Sequence, residues 1–108
     1  MKYTEIADII SGIGLPYTYD FFPENVAPDP PYLVFNYPQN NDFGADNINY
    51  VSIDTVNLEL YTKNKDFQLE ARIEAVLNEN GFFYEKSESY IRSENLYQIT
   101  YDFQVVTE

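Results

Sequence analysis

The run Val56-Asn57-Leu58-Glu59-Leu60, together with the residues on its C-terminal side, decides the architecture. Apolar residues at every second position describe a strand with one face in a core and the other in water. Lys63-Asn64-Lys65 turns the chain. Asp66 then caps an amphipathic helix with a buried stripe of Leu69, Ile73, Val76 and Leu77 and a polar side carrying Glu70, Arg72, Glu74 and Glu79. Asn80-Gly81 closes it, glycine being the residue that takes a left-handed helix end without strain. Phe82-Phe83-Tyr84 opens a strand that runs to Tyr90-Ile91, and Ser93-Glu94-Asn95 turns it into the last strand, Leu96 to Val106. There Tyr97, Ile99, Tyr101, Phe103 and Val105 alternate with Gln98, Thr100, Asp102 and Gln104. The order strand, helix, strand pair predicts an α+β fold.

Working back toward the N-terminus, Ile6, Ile9, Ile10 and Ile13 form one helical face, with Thr4 as its expected N-cap and Gly12 and Gly14 at its end. Tyr17, Tyr19 and Phe21 alternate as a short strand. Pro28-Asp29-Pro30-Pro31 holds an extended lead-in. Its P-x-x-P spacing lacks the basic residue usual in peptide ligands of aromatic grooves. Tyr32 to Tyr37 is nearly all apolar, as in a strand buried on both faces, and Pro38 is expected to stop it. Residues 39–47 read as a polar loop in which Phe43 either folds back on the core or waits for a partner. From Ile48 to Thr62 the apolar phase shifts, which implies either a bulge near Ser52-Asp54 or a long strand protruding from its sheet. The whole predicts one domain over residues 1–108, a mostly antiparallel or mixed sheet of about five strands packed with two helices.

Composition narrows the function classes. The chain has 108 residues, a single domain's length, and folding buries roughly two-thirds of such a chain's surface. It has no cysteine and no histidine, which removes thiolate chemistry, the usual general base and the commonest metal ligand. The opening Met1-Lys2-Tyr3-Thr4-Glu5 turns polar and acidic too early for a signal peptide, and no apolar run nears the roughly 20 residues of a membrane helix. A reducing compartment is expected. Eighteen acids against six bases give a net charge of −12, which disfavours phosphate-backbone binding. Eleven tyrosines and eight phenylalanines exceed what one small core uses, and aromatics of this kind populate protein interfaces.

Catalysis finds little support. Glu59, Asp66, Glu70, Glu74, Glu85, Glu88, Glu94 and Asp102 are the carboxylates open to an acid–base pair, but their alternation with apolar residues marks solvated faces. Asn40, Asn41, Asp42, Asp46 and Asn47 gather oxygen ligands without the spacing of a calcium loop. Phosphate-binding glycine loops and the nucleophile elbow are missing from the sequence. No enzyme activity, cofactor or metal is expected.

Several phrases resemble a known group of proteins. Pro28-Asp29-Pro30-Pro31-Tyr32-Leu33-Val34-Phe35, Asn57 to Thr62, Ile73 to Leu77 with Gly81 after it, Ser93 to Tyr97 and Tyr101-Asp102-Phe103 are similar to the tail terminator, or head–tail joining, proteins of long-tailed bacteriophages and prophages of Gram-positive bacteria. The resemblance implies a virion neck protein with an α+β fold, found in the host cytoplasm during assembly. It implies a ring, commonly a hexamer, that caps the head-proximal end of the tail tube and ends its polymerisation. Its partners would be other copies of itself, the major tail tube protein and a head-connector or head-completion protein. DNA would cross a lumen without specific binding, and no membrane is involved. Phe43, Asp46, Ile48 and Tyr50 are the expected subunit or tube contacts. Two other readings are a head-completion or stopper protein of the same neck, and an unrelated acidic interaction module that binds a basic partner.

Overall fold

The computed structural model describes residues 1–23, 26–43 and 51–108. The elements are α1 (Tyr3–Ser11), β1 (Tyr17–Tyr19), β2 (Tyr32–Phe43), β3 (Val51–Thr62), α2 (Phe67–Glu79), β4 (Tyr84–Ile91) and β5 (Leu96–Thr107). They form a five-stranded sheet in the order β1-β2-β3-β5-β4, antiparallel except for the parallel β1–β2 pair. The predicted α+β class, strand number and helix number all hold.

The core lies between the two helices and one face of the sheet. Ile6, Ile10 and Ile13 come from the first helical segment, Leu69, Ile73 and Leu77 from α2. The sheet answers with Leu33, Phe35, Val56, Leu58, Leu60, Ile99, Tyr101, Phe103 and Val105. Asp66 caps α2, its carboxylate accepting the Leu69 N–H at 3.0 Å, and Gly81 takes φ +72° just beyond the helix end. The first cap departs from expectation: the N-cap is Lys2, Thr4 is helical, and Glu5 reaches back to accept the Lys2 N–H.

Three further expectations give way. Pro38 does not stop β2, because Tyr37 and Pro38 together oppose the single residue Val56 in a bulge. A proline lacks the donor a regular ladder needs, and a bulge is where that omission is tolerated. The strand therefore continues through residues 39–43, which sequence patterning assigns to a loop. The bulge also sits in β2 instead of β3: β3 pairs with β5 without a slip from Ser52 to Thr62. The apparent change of phase arises because the core-facing position between Ser52 and Val56 is occupied by an acid, Asp54, which is 3% exposed. Finally, Phe21 lies beyond β1, which ends at Tyr19 before Asp20 adopts φ +71°.

Candidate interaction surfaces

Three arrangements stand out: a buried carboxylate that pins the N-terminus to the sheet, an ion-pair cluster under α2, and an exposed aromatic patch. Each is built from residues far apart in sequence.

The β2 bulge reverses which side chains of that strand face the helices. Before it, Leu33 and Phe35 do; after it, Asn40 stands opposite Asp54. Asn40 donates to Asp54 Oδ1 at 2.9 Å, while Tyr3 and Thr107 donate their hydroxyls to Oδ2 at 2.6 and 2.7 Å. Burial pushes the Asp54 carboxyl up, but these three bonds to the ionised form outweigh it and hold the group below its ordinary range. The Met1 ammonium donates to Val106 O at 2.8 Å nearby, and Glu108 N–H donates to Met1 O at 3.0 Å. This is a structural clasp: all the donors to the carboxylate are neutral and already engaged.

Glu70 corrects a further expectation. Sequence patterning places it on the polar side of α2, yet it is 2% exposed. Lys65 and Lys86 pair with its two oxygens at 2.6 and 2.9 Å, from the turn before α2 and from β4. Lys86 also reaches Glu74 at 2.8 Å, Lys65 pairs with Glu88, and the Tyr101 hydroxyl donates to Glu74 at 2.8 Å. Burial pushes Tyr101 well above the ordinary tyrosine range, and the hydrogen bond its hydroxyl donates to the Glu74 carboxylate adds to the shift. Burial alone would raise Glu74, and the Lys86 and Tyr101 bonds bring it below its ordinary value. Each of the three acids, Glu70, Glu74 and Glu88, thus pairs with at least one of the two lysines.

The aromatic patch lies at the β1 edge beside α1. Tyr19 packs edge-on to Phe35 at 5.3 Å between ring centres and meets Tyr37 at 5.7 Å, and Tyr37 meets Tyr3 at 5.0 Å. Burial raises the Tyr37 hydroxyl to about 12, helped by Tyr19, Tyr3 and Asp54 around it. Tyr3, Tyr17 and Tyr19 are nonetheless about half exposed, and Phe21 beside them is 65% exposed. On the opposite, helix-free face of the sheet, Phe22, Tyr32 and Tyr61 make a second aromatic group. Its neighbours are polar: Gln98 bridges Glu59 and Tyr61, and Asn57 donates to Asp102 at 2.8 Å. Burial raises Glu59, and its own hydrogen bonds do not offset this because Asp102 and Asp20 add negative charge nearby.

Of the expected contact residues, Phe43 ends β2, its backbone paired with Val51. Asp46, Ile48 and Tyr50 lie outside the described residues, as do Asn47 and part of the oxygen-rich loop. The described part of that loop is strand, where Asn40 is committed to Asp54 and Ser52. Among the described residues no group of three metal-ligating side chains comes together. An open groove of about 610 Å³ lies on the helix-free face, bordered by Phe83, Glu85, Asp102 and Gln104. Among the described residues no helix is long and apolar enough to cross a membrane. Tyr3 and Tyr37 escaped sequence reasoning as patch members, because neither breaks the pattern of its own element; only the fold brings them together.

No protein-family model matches this chain, and no curated protein sequence does. Among solved structures it is similar to a chain in the virion of a native gene transfer agent particle, with a TM-score of 0.59 and 14% identity over 93% of this chain and 84% of that one. At that identity the likeness establishes a shared fold, one that extends over nearly the whole length of both chains.

Proposed function

We propose that this protein is a structural component of a tailed-phage or phage-like virion, a terminator that caps the head-proximal end of the tail tube and joins tail to head. The observation that carries the reading is the near full-length fold likeness to a chain of a gene transfer agent virion. The sequence resemblance to terminator proteins points the same way. In this reading several copies close a ring on the tube, and the resemblance favours six. The half-exposed Tyr3, Tyr17 and Tyr19 with Phe21 supply contacts of the kind that dominate protein interfaces, large rings with little conformational freedom to lose. The net charge of −12 lets DNA pass without adhering, by like-charge repulsion.

The test is reconstitution. Added to the polymerising tube protein of its own particle, the purified chain is expected to arrest tube growth and to sit at one end by electron microscopy. A Phe21→Ser variant, altered at the most exposed ring of the patch, is expected to fold normally by circular dichroism and to lose most of this arrest. Tubes that grow unchecked in the presence of the unaltered protein would contradict termination.

A further inference from the structure

The two edges of the sheet are unequal. β1 is three residues long and bounded by Pro16 and by Asp20 in a left-handed conformation, so it offers almost no ladder to a newcomer. β4 is eight residues long, has no proline and no bulge, and pairs with β5 in continuous register from Tyr84 to Ile91. Its other side faces no described strand. At its start Phe83 is 97% exposed, and Tyr90 near its end is 46% exposed. Edge strands are ordinarily protected by charge. Here the charges are ordered so that they favour one two-fold pairing over the others.

We propose that β4 is the contact strand of a two-fold dimer, pairing antiparallel with β4 of a second copy so that Ser87 lies opposite the partner's Ser87. A two-fold axis perpendicular to the sheet keeps each residue on its own face, so only residues of equal parity can stand opposite each other. Centring on Lys86 would set lysine against lysine, and centring on Glu85 or Glu88 would set glutamate against glutamate. Centring on Ser89 would shorten the ladder and leave Lys86 with no glutamate across from it. Centring on Ser87 sets Lys86 against the partner's Glu88 twice, Tyr84 against the partner's Tyr90 twice, and Phe83 against the partner's Ile91. Opposite charges and aromatic pairs directly across a ladder are the favourable cross-strand combinations. The pairing also extends the cluster already described: Lys65 holds Glu88, which would meet the partner's Lys86. Two five-stranded sheets would become one of ten, with neither long edge left open. The inference concerns the free chain and stands whether or not the virion reading holds.

The chain has no cysteine, so single cysteines report this register cleanly. Directly opposed residues of antiparallel strands have Cα atoms about 4.5–5.5 Å apart, within disulfide range. Ser87→Cys is expected to form a covalent dimer rapidly under mild oxidation. Ser89→Cys is not, because its own counterpart would lie about 13 Å away along the strand, yet mixed with Glu85→Cys it should cross-link. Sedimentation of the unaltered full chain should show a dimer, and Glu88→Gln, which removes the charge facing the partner's Lys86 without setting a lysine beside Lys65 of its own chain, should raise its Kd about fivefold. Circular dichroism of each variant checks that the fold is kept. A monomeric unaltered chain, or Ser87→Cys cross-linking no faster than Ser89→Cys alone, would overturn the proposal.

Discussion

Asp54 shows how one residue can mislead a pattern and organise a fold. Its carboxylate occupies a position that alternation reserves for an apolar side chain, and it is tolerated there because three donors surround it. Asp54→Ala would remove the acceptor that the Tyr3 and Thr107 hydroxyls and the Asn40 amide share, leaving Asn40 and Thr107 only their weaker alternatives on Ser52, and a loss of about 2 kcal/mol is expected in urea unfolding. The pH dependence comes from the direction of its shift. The native carboxyl lies below its ordinary value of 3.8, so its contribution is fully present above that value and is lost as pH falls through the lower native one. Asp54→Asn should therefore flatten the acid side of the stability profile below pH 3.8. A profile unchanged by Asp54→Asn would show that the clasp does not hold the charge.

At the scale of elements, α2 and β4 are joined by charge as well as by the apolar stripe. Glu70 is the centre of that junction, and replacing it with Gln would leave two lysines facing a neutral amide. Breaking a buried pair costs about 3–5 kcal/mol, and because Lys65 and Lys86 retain access to water and to Glu88 and Glu74, about 2 kcal/mol is expected by thermal or urea unfolding. No change would mean that the cluster adds nothing beyond the stripe. The stripe itself was legible: Leu69, Ile73, Val76 and Leu77 at helical spacing, the Asp66 cap, Gly81 and the alternation of β5 each obey local rules. Glu70 was not legible, since a lone acid beside an apolar stripe looks solvated until the lysines of a turn and a distant strand are brought to it. Pro38 failed for a related reason. A proline usually ends a strand, and only the pairing partner reveals the bulge that lets the strand continue past it.

The whole molecule is elongated, 49 × 30 × 22 Å, with one sheet face covered by helices and the other open. Of its six bases, Lys65 and Lys86 lie in the internal cluster and Arg72 donates to the Ile13 carbonyl at 2.6 Å, so the outer charge is dominated by acids. Composition conveyed that acidity and the surplus of aromatics, but which rings gather into a surface depends on the course of the chain. Tyr3, Tyr19 and Tyr37 come from α1, β1 and β2 and meet only in the fold. The expected contacts at 43–50 and the patch at the β1 edge are thus different candidate surfaces, and the terminator reading predicts that one or both are covered in the assembled particle. The most direct measurement is to delete this reading frame from the particle that encodes it and image the lysate by negative-stain electron microscopy. The terminator reading predicts tails of uncontrolled length without heads; normal tails beside unattached heads would move the protein to the joining step, and intact infectious particles would contradict the virion role altogether.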